Sequence, residues 1–127
     1  MADLRESAVT LLSTTTVSLA ADTNTTIYTV PTGKRMVPHS ALLVAAADAS
    51  TSDISIGITA AGTDFVGVTN LDNLDAQYDA VILAPVPSAT PATLKTYAAG
   101  SVIVAKVANQ AGAAGNTLYF YGTLYDA

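Results

Sequence analysis

The sequence predicts an all-β protein, folded as a single jelly-roll-like β-sandwich or barrel of about eight short antiparallel strands. Short runs of β-branched and aromatic residues recur along the chain, and turn residues separate them roughly every ten positions. No helical periodicity extends beyond about two turns. An immunoglobulin-like sandwich is the alternative, but the chain has no Cys and no Trp for the core pattern of that fold.

The first predicted strand covers Val9–Leu19, after a polar segment at residues 1–8. We expect residues 1–19 to form an N-terminal arm together with this first strand. Residues 20–127 then form the β-sandwich, and the whole chain is one domain. A turn at residues 20–24 separates the first strand from the next one.

The stretch Thr25–Ala47 is predicted to be a hairpin of two strands. Pro31 holds its own φ and keeps Val30 extended, which ends the first of these strands. Gly33 can adopt the positive φ that a short hairpin turn requires. The return strand is expected at Val37–Val44.

Two further strands are predicted in the middle of the chain, at Ile54–Thr59 and Phe65–Thr69. The first alternates isoleucine with small residues, as a half-buried strand does. Gly57 and Gly67 inside these strands indicate bulges or close backbone contacts. The acidic segment Asn70–Asp79 is predicted to be a loop.

The last third of the chain supplies the remaining predicted strands. Tyr78–Val86 is interpreted as a buried strand, and a proline-rich loop at residues 86–93 leads to a short strand at Leu94–Tyr97. Ser101–Val107 and the aromatic Thr117–Asp126 close the chain, with a glycine-rich connection between them.

Charge is scarce, since only 12% of the residues are Asp, Glu, Lys or Arg, against about 25% in an ordinary soluble domain. Burial of surface against other chains explains this, so we expect an oligomer or a larger assembly; a threonine-rich extracellular monomer is the alternative.

The net charge of −5 argues against nucleic acid as a partner. No apolar run is long enough to span a membrane, and the acidic start does not resemble a secretory signal. The chain is therefore expected to be made in a cytoplasm.

No combination of residues predicts an enzyme. His39 is the single histidine, so neither a catalytic triad nor a histidine metal cluster can be assembled, and no cofactor is expected. Asp72, Asp75 and Asp79 carry the carboxylate oxygens that calcium prefers as ligands, but their spacing does not match that of a calcium-binding loop. We expect a solvated acidic loop, with a bound cation as the alternative.

Two segments resemble structural proteins of tailed bacteriophages. One is IYTVPTGKRMVPHSALLV at residues 27–44, and the other is SVIVAKVANQAGAAGNTLYFYGTLYD at residues 101–126. Within that group the chain looks most like a capsid decoration, or cement, protein. The resemblance implies a homotrimer on the outer surface of the virion capsid, which bridges neighbouring major capsid subunits and so stabilises the shell.

We predict that the contacts with the capsid or with other subunits involve the N-terminal region and the basic residues after the turn, namely Leu4, Arg5, Leu11, Leu12, Lys34 and Arg35. Two other functions are kept as alternatives. In an adhesive or carbohydrate-binding module of a phage fibre or spike, Tyr119, Tyr121 and Tyr125 would form a recognition strip, although core packing with a tyrosine rim is the interpretation we favour. A tail or neck component is the other alternative.

Overall fold

The computed structural model describes residues 9–58, 63–83, 96–108 and 114–127. These residues form eight β-strands and no helix. The strands are β1 (Thr10–Val17), β2 (Thr23–Thr29), β3 (Lys34–Val44), β4 (Asp53–Ile58), β5 (Val66–Asn70), β6 (Ala80–Leu83), β7 (Val102–Ala108) and β8 (Asn116–Asp126). The predicted all-β fold is confirmed.

The strands are arranged in two four-stranded sheets. The first sheet has the order β1-β8-β3-β6 and the second has the order β2-β7-β4-β5, and every neighbouring pair is antiparallel. This interleaving of early and late strands is the jelly-roll order, in which two Greek keys are wound together. It differs from the immunoglobulin arrangement, which groups the strands in another way.

The core lies between the two sheets. Buried residues alternate with less buried ones along β3 and β8, whereas β4, predicted to be half-buried, and β7 each have consecutive buried residues. In β8 the burial pattern alternates along nearly the whole strand, with Leu118 and Phe120 fully buried. The ring of Phe120 meets those of Tyr28 and Phe65, each at a centroid distance of 6.0 Å. Because side chains of a strand point alternately to its two faces, the intervening residues Thr117, Tyr119 and Tyr121 point away from the core.

The predicted hairpin at Thr25–Ala47 is wrong in its pairing, although its turn is correct. Lys34 N–H donates to Pro31 O at 3.2 Å, and Gly33 has a φ of 80°. However, β2 belongs to the second sheet and pairs with β7, whereas β3 belongs to the first sheet and pairs with β6 and β8. The turn therefore crosses the edge of the sandwich and joins the two sheets.

The predicted buried strand at Tyr78–Val86 also needs correction. Tyr78 has a φ of 71° and lies in a turn, and the strand β6 begins only at Ala80. Among the described strands β6 pairs with β3 and lies at the end of the first sheet, and Ile82 is exposed. The proline-rich loop at residues 86–93 and the first two residues of the short strand predicted at Leu94–Tyr97 lie outside the described residues. Tyr97 forms an isolated antiparallel bridge with Met36.

Each of the edge strands β1, β2 and β5 carries a β-bulge. In β1 the bulge lies at Leu12, where Leu11 pairs with Tyr121 and Ser13 pairs with Phe120. The fourth edge strand, β6, keeps a regular register with β3 over all four of its residues. Bulges protect sheet edges from pairing with other chains, and no bulge interrupts β6 within the described residues Ala80–Leu83.

Candidate interaction surface on the first sheet

A row of side chains crosses the outer face of the first sheet from one edge to the other. Thr14 of β1 pairs with Tyr119 of β8, which pairs with Leu42 of β3, which pairs with Ile82 of β6. Residues paired directly across neighbouring strands point to the same face. The buried neighbours Leu43, Leu83 and Phe120 occupy the core side, so this row points outward.

Two further rows lie on the same side of the sheet. Thr16, Thr117, Val44 and Ala80 form the row on one side of Tyr119, and Leu11, Tyr121 and Ser40 lie on the other. We call this surface the tyrosine face. Its members are Leu11, Thr14, Thr16, Ser40, Leu42, Val44, Ala80, Ile82, Thr117, Tyr119 and Tyr121.

The tyrosine face contains no charged residue among its members, in a chain of net charge −5. Beyond the tyrosine face, at the far end of the same sheet, the charged residue Arg35 pairs with Tyr125. Antiparallel sheets with one solvated face normally place polar and charged residues on that face. Seven of the eleven members of the tyrosine face are tyrosine or aliphatic residues and four are Thr or Ser, so the face lacks charge in the way that the buried centre of a protein–protein interface does.

Two of the three tyrosines considered for a recognition strip, Tyr119 and Tyr121, belong to this face, and Tyr125 lies further along the same strand. These tyrosines therefore lie outside the core, on the rim. Phe120, which lies between Tyr119 and Tyr121, fills the core instead. Aromatic content alone could not distinguish the two faces of β8, but the alternation of the strand does.

The residues that sequence reasoning missed are Leu42, Val44 and Ile82. A signal for the first two was present: residues 41–47 read ALLVAAA, which is apolar at both odd and even positions. A strand that is apolar on both faces is normally covered on both faces.

Buried hydrogen bonds fix the end of the face where β1, β3 and β8 meet. Asn116 is fully buried; its Oδ1 accepts from Ala46 N–H at 2.9 Å and its Nδ2 donates to Val17 O at 3.0 Å. Asn116 was predicted to lie in the glycine-rich connection, but it is the first residue of β8. One amide side chain thus ties the ends of three neighbouring strands together.

The predicted contact residues are distributed over several places. Leu4 and Arg5 lie outside the described residues. Leu11 is exposed at the β1 edge of the tyrosine face, whereas Leu12, at the bulge, packs against the core. Lys34 forms an ion pair with Asp126 at 2.7 Å. The structure therefore brings Leu11 to the tyrosine face and places Lys34 at the far end of the same sheet.

The acidic loop that follows β5 is anchored by two leucines. Leu71 and Leu74 are buried, and Leu74 O accepts from Ala49 N–H at 2.7 Å. Asp72 and Asp75 are exposed, and Asp79 Oδ2 accepts from Ala76 N–H at 3.1 Å. Among the described residues, no group of three or more His, Cys, Asp or Glu side chains is arranged to hold a metal ion.

A second buried polar contact closes the opposite end of the sandwich. Asp64 Oδ2 accepts from the Tyr97 hydroxyl at 2.6 Å, and Asp64 Oδ1 accepts from Ile58 N–H at 2.8 Å. Tyr97 also exchanges two backbone hydrogen bonds with Met36. Burial, together with the hydrogen bond to the Asp64 carboxylate and its negative charge, raises the pKa of Tyr97 far above its usual value.

The second sheet bears a small depression of about 150 Å³ on β4, β5 and β7. Its walls include the side chains of Asp53, Ser55, Val68 and Lys106. A pocket for a typical small-molecule ligand has at least about twice this volume, so the depression is too small for such a ligand. No helix in the described part of the chain could cross a membrane.

Fold and surface together define a jelly-roll domain whose most distinctive feature is an uncharged outer sheet face. No protein-family model matches the sequence, and no curated protein matches it. The fold is similar to that of a chain in the solved structure titled "Cyanophage Pam1 capsid asymmetric unit", with a TM-score of 0.55 and 15% sequence identity. The match covers 94% of this chain and 85% of the other. At this identity the likeness establishes a shared fold.

Proposed function

We propose that this chain is a structural protein of a phage virion that decorates the capsid and stabilises it by bridging neighbouring major capsid subunits. The observation that carries the proposal is the tyrosine face, an uncharged surface on a domain with few charges. The fold shared with a chain of a phage capsid asymmetric unit supports the same assignment. The role is mechanical, and no catalytic step is part of it.

We further propose that the protein acts as a homotrimer on the outer surface of the capsid, after synthesis in the host cytoplasm. A decoration protein must contact both its own copies and the shell, and this chain offers surfaces of two kinds. The tyrosine face is uncharged, whereas the loop after β5 presents the carboxylates of Asp72 and Asp75. Arg35, and the N-terminal segment with Leu4 and Arg5, remain proposed contacts with the major capsid protein.

Binding to shells tests this function directly. Shells assembled from the major capsid protein of the same virus are incubated with the purified chain, pelleted and then heated while their disassembly is followed by light scattering. We expect saturable co-sedimentation and a higher disassembly temperature, because a bridging protein stabilises the assembled state to which it binds. A chain that stays in the supernatant at micromolar concentration contradicts the proposal.

A second candidate, a carbohydrate-binding module of a fibre or spike, is favoured by one observation: Tyr119, Tyr121 and Tyr125 point outward from one strand. Aromatic side chains can stack on sugar rings, as they do on other flat ligands. A glycan array tests this function, and binding that is lost in Tyr121→Ala would favour it over capsid decoration. Electron microscopy that places the chain on the tail or neck would favour the remaining alternative, a tail or neck component.

A further inference from the structure

The first sheet exposes aliphatic side chains at both of its edges. Ile82 on β6 is 70% exposed, and Leu11 on β1 is 49% exposed. In the centre of the sheet Leu42, Tyr119 and Tyr121 are partly covered by their neighbours. The most exposed apolar side chains of the tyrosine face therefore lie on opposite rims of the sheet. The two rim strands, β1 and β6, are separated by three interstrand spacings, or about 14 Å.

We propose that a second copy of this chain covers the tyrosine face, with the β6 rim of one copy packed against the β1 rim of the next. This proposal rests on the homotrimer proposed above and identifies the surface that forms it. The contact is heterologous, since each copy presents one rim to one neighbour and the opposite rim to the other. Heterologous contacts of this kind form closed rings when the rotation between copies closes.

Charge is the reason for choosing a second copy as the occupant. Two copies that each carry a charge of −5 repel one another least when they meet through a surface without carboxylates. The tyrosine face is such a surface, whereas the loop after β5 carries Asp72, Asp75 and Asp79. A strongly basic partner would gain nothing from an uncharged face and would instead be attracted to that loop.

The regular register of β6 supports the same geometry. The edges at β1, β2 and β5 are distorted by bulges, whereas the described residues of β6 keep a regular register with β3 and include an exposed isoleucine. A regular apolar edge on a monomer promotes non-specific association, so natural proteins distort, charge or cover such edges. Coverage by the neighbouring copy protects β6 and at the same time buries Ile82.

A matched pair of substitutions tests whether the face carries self-association. Val68 on β5 is 69% exposed, almost the same as Ile82, but it lies at an edge of the second sheet. We expect light scattering to give the mass of three chains for the unmodified protein and for Val68→Asp, and the 12.9 kDa of one chain for Ile82→Asp. Circular dichroism checks that both variants are folded. A trimeric Ile82→Asp, or an unmodified protein that is monomeric at micromolar concentration, overturns the proposal.

Disulfide cross-linking tests the orientation of the contact, and the chain contains no cysteine to interfere. Under mild oxidation, the double variant Leu11→Cys/Ile82→Cys is expected to form covalent oligomers. A mixture of the two single variants forms mixed dimers, and neither single variant cross-links alone. Ile82→Cys dimers at comparable yield would indicate a two-fold contact and overturn the rim-to-rim geometry. A double variant that forms no covalent oligomers overturns it as well.

The shell-binding assay separates failure of this inference from failure of the proposed function. If Ile82→Asp remains trimeric while the unmodified chain binds shells, the surface assigned here is wrong and capsid decoration stands. If the rims cross-link as expected but the chain does not bind shells, the interface stands and capsid decoration is wrong.

Discussion

Tyr97 and Asp64 form the polar contact on which the closed end of the sandwich depends. Tyr97→Phe keeps the ring and removes the hydroxyl that donates to Asp64 Oδ2. We expect a loss of about 1.5–3 kcal/mol of unfolding free energy, because a hydrogen bond to a charged group is removed and the carboxylate oxygen loses its donor. Urea unfolding at pH 7 measures the loss. Tyr78→Phe, at an exposed tyrosine, is the control and should be nearly neutral.

The same tyrosine predicts how stability depends on pH. Because the pKa of Tyr97 is raised in the folded state, the proton is lost more readily from the unfolded chain. The stabilisation is thus complete below the usual tyrosine pKa of about 10 and decreases above it, by up to about 1.4 kcal/mol per pH unit. Tyr97→Phe should show a shallower decrease between about pH 10 and 11. Equal slopes in the two proteins would contradict this account of Tyr97.

Gly57 and Gly115 predict opposite results for the same substitution. A Cβ on Gly57 would lie 2.8 Å from Asp64 N and 2.9 Å from Thr63 N, so backbone atoms would have to move. A Cβ on Gly115 would lie 3.8 Å from Ala46 Cβ, which is an ordinary contact. We expect Gly57→Ala to cost about 1–3 kcal/mol and Gly115→Ala to be neutral or slightly stabilising. Thermal unfolding of both variants distinguishes these outcomes, and equal melting temperatures would contradict the close approach at Gly57.

Consecutive residues of β8 have different roles, because one packs in the core and the next lies on the outer face of the first sheet. Phe120→Ala is expected to cost about 3–5 kcal/mol, because it opens a cavity between the sheets. Tyr119→Ala, one residue earlier and on the outer face, should cost the isolated chain much less and should instead weaken self-association. Chemical unfolding of dilute protein measures the first effect and light scattering the second. If Tyr119→Ala destabilised the monomer as strongly as Phe120→Ala, the outward assignment of Tyr119 would be wrong.

The individual strands could be predicted from sequence, because β-branched runs and turn residues are local signals. Most strand positions match the predictions to within a few residues, and the turn at Pro31–Lys34 is present. Strand pairing could not be derived in this way. Nothing within Thr25–Val44 indicates that β2 pairs with β7 and β3 pairs with β8, since a period of two fixes which side chains are buried but not which strand lies beside them.

The candidate surface was only partly predictable for the same reason. The low charge indicated an interface somewhere on the molecule. Its location depends on Leu42, Ile82 and Tyr119 lying in one row, and these residues come from strands that are far apart in the sequence. The positive φ of Tyr78 could not be predicted from the local sequence either. The turn that contains Tyr78 is stabilised by backbone hydrogen bonds with Ala45, the residue that follows β3.

The topology of the whole molecule predicts slow folding. Of the strand pairs in the two sheets, only β4 and β5 are neighbours in sequence, and β1 must pair with β8 from the other end of the chain. Non-local pairing requires closure of long loops before native contacts form, so refolding is expected on a timescale of about milliseconds to seconds. Stopped-flow fluorescence of the tyrosines measures this rate, and complete refolding within microseconds would contradict the pairing described here.

The proposed function depends on where the protein lies in a virion. Cryo-electron microscopy of shells assembled from the major capsid protein of the same virus, with and without the purified chain, is the most direct test. We predict additional density on the outer surface, where neighbouring capsid subunits meet, into which three copies of the jelly roll fit with their tyrosine faces buried against one another. A bare shell surface at saturating concentration of the chain, or density confined to the tail, would contradict the proposal.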